Sequence, residues 1–204
     1  SNDGSLLLPV NTLGKTYFAV SKASRGAVLG FPANYGFVTI VATALGKTTV
    51  TVTPRQPMIA NPALEVPQDG SKPASLAAGT SYTFALEQFE ILNLSHLPEL
   101  KPLKQGEQAP DITGTRIDAD KPIAVFSGHQ ASGVLDDIKS QFTDEWDTCC
   151  TEHLEEQLMP LATWGTEAIC VKTKPRGYEI DEWVVVAGDD AVTLSTTPKI
   201  AGLD

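Results

Sequence analysis

Residues 111–129, DITGTRIDADKPIAVFSGH, constrain the fold more than any other stretch of the chain. Residues 113–117 alternate polar and apolar side chains, and residues 123–126 form a short apolar run typical of a strand buried on both faces. Between them, residues 118–122 have the sequence Asp-Ala-Asp-Lys-Pro, which favours a tight turn. The pattern therefore predicts two strands joined by a short connection, and nothing in it is catalytic.

Short β-forming segments separated by turn residues occur along most of the chain. Residues 37–42 and 48–53 flank a Leu-Gly-Lys turn and predict a hairpin. Residues 54–78 hold five prolines and show no periodicity, so no regular structure is predicted there. Residues 152–158 are predicted to form a helical turn. These segments predict an all-β fold, an antiparallel β-sandwich, with a propeller-like arrangement of β repeats as the alternative.

An internal repeat divides the sequence. LPVNTLG at residues 8–14 resembles MPLATWG at residues 159–165, and the β-forming segments that follow each motif also correspond. We therefore predict a first repeat unit over residues 1–158, with an acidic insertion at about 130–151, and the first part of a second unit over residues 159–204. Strands are predicted in the second unit at residues 168–173, 183–187 and 192–195. Because this second unit is incomplete, the sequence is expected to be a fragment or a chain whose last strands complete a neighbouring chain.

The charge of the chain limits its partners. The 204 residues carry a formal net charge of −10, and the pI is near 4.7. Nucleic acid and anionic membrane surfaces would repel such a chain, so neither is expected as a partner. The apolar runs are also far shorter than the roughly 20 residues that a membrane-spanning helix needs, so no membrane span is predicted. The first residues lack the basic and apolar regions of a signal peptide.

Three cysteines are present, and two of them are adjacent: Cys149, Cys150 and Cys170. This odd number allows one disulfide with a leftover thiol, a vicinal pair, or three reduced thiols. A zinc site is another use of Cys149 and Cys150 together with His129 and His153, because two thiolates and two imidazoles satisfy tetrahedral zinc. The same residues could form a Cys–His nucleophilic pair, although no oxyanion element accompanies them.

The segment from residue 136 to residue 156 is strongly acidic. Carboxylate oxygens suit calcium, and the candidate ligands are Asp136, Asp137, Asp144 and Asp147. A solvated acidic loop is the simpler interpretation, because no EF-hand spacing is present. Trp146 lies in the same segment and is a candidate contact for a binding partner. Apart from zinc or calcium at these residues, no cofactor is expected.

Several blocks, in order, resemble the N-terminal domain of the IgG Fc-binding protein family. The two most specific blocks are DKPIAVFSGH at residues 120–129 and EHLEEQLMPLATWG at residues 152–165. VATALGKTTVTVTP at residues 41–54 and AAGTSYTFAL at residues 77–86 add to the resemblance. It implies an extracellular, modular and non-enzymatic protein at the cell surface or secreted. Antibody binding is not implied, because no antibody-contacting residue can be matched.

The chain departs from that family in its cysteines. The resemblance implies one cysteine shortly after the SGH block and another before the histidine equivalent to His153. Here Ala131 or Ser132 occupies the first position, and Cys149 and Cys150 stand at the second. Cys170 could replace the missing partner, and the closed loop of about 20 residues would then add roughly 3 kcal/mol of stability.

The function expected from these observations is an extracellular structural or binding module, used in adhesion or assembly. Its partners would be other protein chains, glycoproteins or a second copy, contacted through edge strands or the insertion at 130–151. No phosphate-binding loop, nucleophile elbow or zinc-protease motif occurs, so an enzyme is not expected. The alternative is a metal-binding or hydrolytic domain centred on His129, Cys150 and His153.

Overall fold

The chain folds into an all-β, antiparallel structure. The computed structural model describes residues 4–24, 33–60, 75–97, 109–132, 152–172, 174, 183–188 and 191–200. Within them nine strands belong to one sheet: β1 (Gly14–Phe18), β2 (Gly36–Ala42), β3 (Thr48–Thr53), β4 (Met58–Ala60), β5 (Ser75–Leu76), β6 (Tyr82–Leu86), β7 (Ile91–His96), β8 (Arg116–Ser132) and β9 (Glu152–Gln157). Two short 3-10 helices, which we call the first turn (Val10–Thr12) and the second turn (Leu161–Thr163), complete the described elements. The predicted all-β sandwich class is confirmed, and a propeller would instead require several separate sheets.

The longest strand, β8, organises this sheet. Its first part pairs with β1 and β3, and its second part pairs with β2 and β9. The main order of strands is β5-β4-β7-β2-β8-β3-β6. β6 and β7 join β8 through β3 and β2, and β4 and β5 extend the sheet beyond β7, so β8 connects the two sides of the sheet.

The predicted turn at residues 118–122 is an irregularity within β8, so the prediction of two strands with a tight connection is wrong. β3 pairs with β8 as far as Ala119, and β2 pairs with β8 from Ile123 onward. The ladder to β1 also shifts register between Asp118 and Ile123. Pro122 has no N–H to donate, and such an irregularity is one of the few places in a sheet that tolerates proline.

The predicted hairpin over residues 37–53 is also wrong. β2 and β3 both run antiparallel to β8, so they run in the same direction and do not pair with each other. Residues 43–47 bend the chain between the two strands without reversing it. β7 and β6 pair with β2 and β3 respectively, and the turn at residues 87–90 joins them at the matching position.

These bends form a hydrogen-bonded corner, which we define as residues 43–47, 87–90 and 119–122. The Asp120 carboxylate accepts from the Thr49 N–H (2.8 Å), and the Lys121 ammonium donates to the Leu45 carbonyl (2.9 Å). The Thr43 hydroxyl donates to the Pro122 carbonyl (3.0 Å). Asp120 and Lys121, which suggested a turn, therefore join the bends of the corner through hydrogen bonds.

Two further predictions fail because pairing overrides local preference. Residues 152–158 were expected to form a helical turn, but Glu152–Gln157 is strand β9, paired with β8. Its good helix formers take extended conformations because the edge of β8 offers backbone partners. Likewise, residues 54–78 contain the short strands β4 and β5, which extend the sheet beyond β7.

Alternating burial along the strands creates the core. In β2 and β3, every second residue is buried, which leaves one inner and one outer face on the sheet. The inner residues form one cluster, whose largest members are Tyr17, Ile40, Met58, Leu76, Leu94, Ile112, Ile117 and Ile123. Each large apolar side chain buried there stabilises the fold by about 1.5–3 kcal/mol.

The two repeat motifs have the same local structure. Pro9 precedes the first turn with φ −60° and ψ 145°, and Pro160 precedes the second with φ −66° and ψ 148°. The Thr12 hydroxyl donates to the Pro9 carbonyl (2.7 Å), as the Thr163 hydroxyl does to the Pro160 carbonyl (2.8 Å). The strands expected after the second motif are not observed in the described parts of 166–200. The division into units at residue 158 stays a prediction.

Tyr17 is a polar group at the centre of the core. Its hydroxyl donates to the Ile123 carbonyl and accepts from the Gly14 N–H, both at 2.8 Å. The residue is fully buried. Burial raises the pKa of this phenol, and the hydrogen bond from Gly14 offsets part of that rise. Tyr17 thus fastens β1 to the irregular part of β8.

We expect Tyr17→Phe to lower the free energy of unfolding by about 1–3 kcal/mol, because a buried N–H and a buried carbonyl lose their shared partner. Urea denaturation measures this change. Tyr82→Phe is the matched control, because the Tyr82 hydroxyl accepts from the Ala77 N–H at an exposed position where water can replace it. Equal losses of stability in the two variants would contradict the role given to Tyr17.

The same phenol should make the fold sensitive to alkaline pH. Because burial raises the Tyr17 pKa in the folded state, the unfolded chain ionises first as the pH rises above about 10. The stabilisation from the neutral phenol is therefore complete below that pH and is lost as the pH rises towards the folded-state pKa. The free energy of unfolding of Tyr17→Phe should consequently fall less than that of the parent between about pH 9 and 11. Parallel plots of the two free energies against pH would contradict this.

Candidate binding surface

The Ser-Gly-His block of β8 builds the junction of three strands. The Ser127 hydroxyl donates to the Phe37 carbonyl of β2 (3.0 Å). A Cβ atom on Gly128 would collide with the backbone of Leu154 in β9, so only glycine allows this close approach. His129 is fully buried, and its Nδ1 accepts from the Ala131 N–H (3.2 Å). The block therefore has a structural role in holding β9 against β8.

The segment that precedes the first turn lies along β9. The Leu8 N–H donates to the side-chain carbonyl of Gln157 (2.6 Å), and the Gln157 N–H donates to the Ser5 hydroxyl (2.7 Å). Ser5 in turn donates to the Glu156 carboxylate (3.0 Å). Gln157 is thus the anchor that fixes this segment to the edge of the sheet.

An aromatic and acidic patch lies beside this anchor, on the outer face of the sheet. The rings of Phe37 and His153 stack with centroids 5.5 Å apart and planes 10° apart. His153 Nε2 is 3.4 Å from the Glu155 carboxylate. A shallow depression of about 300 Å³ lies here, and we define its lining as the β8–β9 face: Ser5, Leu7, Phe126, His153 and Glu155.

The chemistry of the β8–β9 face suits contact with a partner. Its aromatic rings and apolar side chains can pack against a flat surface, and Glu155 can accept hydrogen bonds. The volume is at the lower limit for small-molecule pockets. Phe37 and Phe126 were missed as candidates; the alternation of β2 could have indicated that Phe37 points outward.

The structure does not bring the two candidate zinc-binding histidines together. His129 pairs with Leu154 across the ladder and points into the core. His153 is next to Leu154 and therefore points to the opposite face, where it stacks on Phe37. No group of three potential metal ligands was found among the described residues.

The other candidate residues divide between described and undescribed parts of the chain. Cys170 is exposed and makes no disulfide within the described residues. The remaining candidates lie outside the described residues, so the disulfide, calcium and contact predictions that depend on them stay predictions: Asp136, Asp137, Asp144, Trp146, Asp147, Cys149 and Cys150.

Apolar residues are exposed along the segments after the second turn. Ile169 is 92% exposed and Val171 73%, although both were expected in a strand. The same holds for the stretches at 183–188 and 191–200, whose exposed apolar residues are Trp183, Val184, Val185, Val192, Leu194 and Ile200. Exposed apolar residues that lie close together in sequence make these segments candidates for contact with a partner.

In this chain no helix among the described residues is long and apolar enough to span a bilayer.

We expect Gly128→Ala to destabilise the fold by about 1–3 kcal/mol, because the added methyl group must displace the backbone of β9. Hydrogen exchange of the β9 amides should increase, and urea denaturation measures the loss. Gly4→Ala is the control, since a Cβ at Gly4 has no neighbour within 4 Å. Unchanged exchange in β9 would show that Gly128 is not needed for this pairing.

Comparison with known proteins agrees with the motif analysis. The model of one family, described as IgGFc binding protein, matches residues 3–203, nearly the whole chain. No curated protein and no solved structure matches. The two most specific blocks correspond to β8, β9 and the second turn, and the other two include β3 and β6. On this match, the chain belongs to the IgG Fc-binding protein family.

Proposed function

We propose that this chain is an extracellular, non-catalytic module that binds protein chains or glycoproteins in adhesion or assembly. Membership of a family described by its binding of a protein supports a binding role. The observation that carries the proposal is the exposure of apolar, β-forming residues in the described segments 166–172, 183–188 and 191–200. The metal-binding or hydrolytic alternative loses support because His129 and His153 lie on opposite faces.

The manner of binding follows from the backbone of these segments. Residues 183–188 form no strand, and Val184 and Val185 are 47% and 66% exposed. A β-forming segment outside the sheet can add to the edge of a partner sheet, which covers its apolar side chains. We infer that these segments pair with a strand of the partner.

This mode of binding predicts different effects for two substitutions of Val185. Val185→Pro removes the N–H and should weaken binding at least about tenfold, because a proline cannot donate in a ladder. Val185→Ala keeps the backbone and should weaken binding less. Binding is measured by biolayer interferometry on immobilised IgG Fc fragment and on an immobilised mucin-type glycoprotein. Failure of the parent chain to bind either probe, or equal effects of both substitutions, would contradict the proposal.

The extracellular setting predicts a specific state of the three cysteines. Intact mass spectrometry with and without reduction, alkylation and chelator should show one disulfide and no bound metal. An oxidising compartment would favour this state. Three free thiols with one bound zinc would overturn the extracellular assignment.

A further inference from the structure

The first and second turns share one backbone geometry but differ in their surroundings. Pro160, before the second turn, is buried, whereas Pro9, before the first turn, is exposed. Val10 in the first turn is 71% exposed, while Leu161 at the same position of the second turn is partly covered. The second turn is therefore packed against another part of the chain, whereas the first turn is exposed.

The second turn packs against strand β1. The Pro160 ring lies directly against Gly14, where a Cβ atom would collide with it. The Trp164 ring lies 5.8 Å from the Phe18 ring, with the planes tilted by 45°. This contact needs a glycine against Pro160, because a Cβ would collide with its ring, and a large apolar residue against Trp164.

The sequence positions of that contact recur after the second turn, at residues 165–169, which are not in a strand in the single chain. The alignment that matches Pro9 to Pro160 also matches Gly14 to Gly165 and Phe18 to Ile169. Gly165 is exposed, and Ile169 is 92% exposed. A Cβ at Gly165 would meet nothing nearer than a backbone atom of Glu167 at 3.6 Å, so no steric reason within the described chain requires glycine.

We propose that the first turn of one copy of this chain docks on residues 165–169 of a second copy. Pro9 would lie on Gly165 and Leu13 against Ile169, as Pro160 and Trp164 lie on Gly14 and Phe18 within the chain. The occupant is a second copy because the chain itself carries an exposed turn with the geometry of the second turn, and both Pro9 and Gly165 are open to another molecule.

The resulting contact is head-to-tail. The two surfaces differ, so each copy can bind one neighbour through its first turn and another through residues 165–169, which extends the assembly. Association would bury the apolar side chains of Val10 and Ile169, which are 71% and 92% exposed in the single chain. This inference rests on the assembly role proposed above and specifies its partner.

Sedimentation equilibrium tests the contact. The parent should self-associate in a concentration-dependent way, and Gly165→Ala should weaken association at least about tenfold. Gly165→Ala leaves the fold intact because its methyl group has room in the single chain. Gly4→Ala, equally unhindered, is the matched control and should associate like the parent. A second pair compares Ile169→Asp, which should abolish association, with Leu45→Asp at the 82% exposed corner position, which should not.

A complementation experiment tests the head-to-tail geometry. Pro9→Ser removes the ring from the first turn but leaves residues 165–169 intact, whereas Gly165→Ala does the reverse. Each variant alone should remain monomeric, and an equimolar mixture should form a 1:1 dimer. Full association of either variant alone, or none in the mixture, would overturn the proposed contact.

The outcomes separate this inference from the proposed function. A parent chain that stays monomeric up to about 1 mM would overturn the head-to-tail contact, even if it binds the immobilised glycoprotein or Fc fragment. A parent that self-associates, and loses this with Gly165→Ala, supports the contact even if both immobilised probes fail.

Discussion

The sheet depends on the pairing of β8 with four other strands. Arg116–Ser132 supplies backbone partners to β1 and β3 in its first part and to β2 and β9 in its second. Most of these partners are far from β8 in sequence, so the fold is held by non-local contacts and forms only when the chain closes long loops. Without β8, β1 and β9 would lose the one strand they pair with among the described strands, and the β2 and β3 sides of the sheet would no longer be joined.

The residues that identify the family serve this architecture. Asp120 and Lys121 join the bends at the corner, Ser127 bonds to β2, and Gly128 admits the backbone of β9. Gln157 then fixes the segment before the first turn. These roles concern backbone geometry, so structural contacts alone explain why the same block can be specific for a family.

Candidate binding surfaces lie on the outer face beside those residues and in the segments that follow the second turn. The β8–β9 face combines stacked aromatic rings with a carboxylate, and the segments after the second turn expose a series of apolar β-forming side chains. The buried Pro160 and the exposed Pro9 place one contact inside the chain and leave its counterpart open. The assembly that we propose applies the same packing once within a chain and once between chains.

The sequence by itself determined the all-β class, the strand segments of β2, β3 and β6, and the family, because alternation and motif order are local properties of the chain. It did not determine that residues 37–53 bend without forming a hairpin, that residues 118–122 interrupt one strand, or that Glu152–Gln157 is extended. Each of these depends on an edge of β8 supplied by distant residues. The separation of His129 from His153 was likewise decided by the register of β9 on β8, which only tertiary pairing sets.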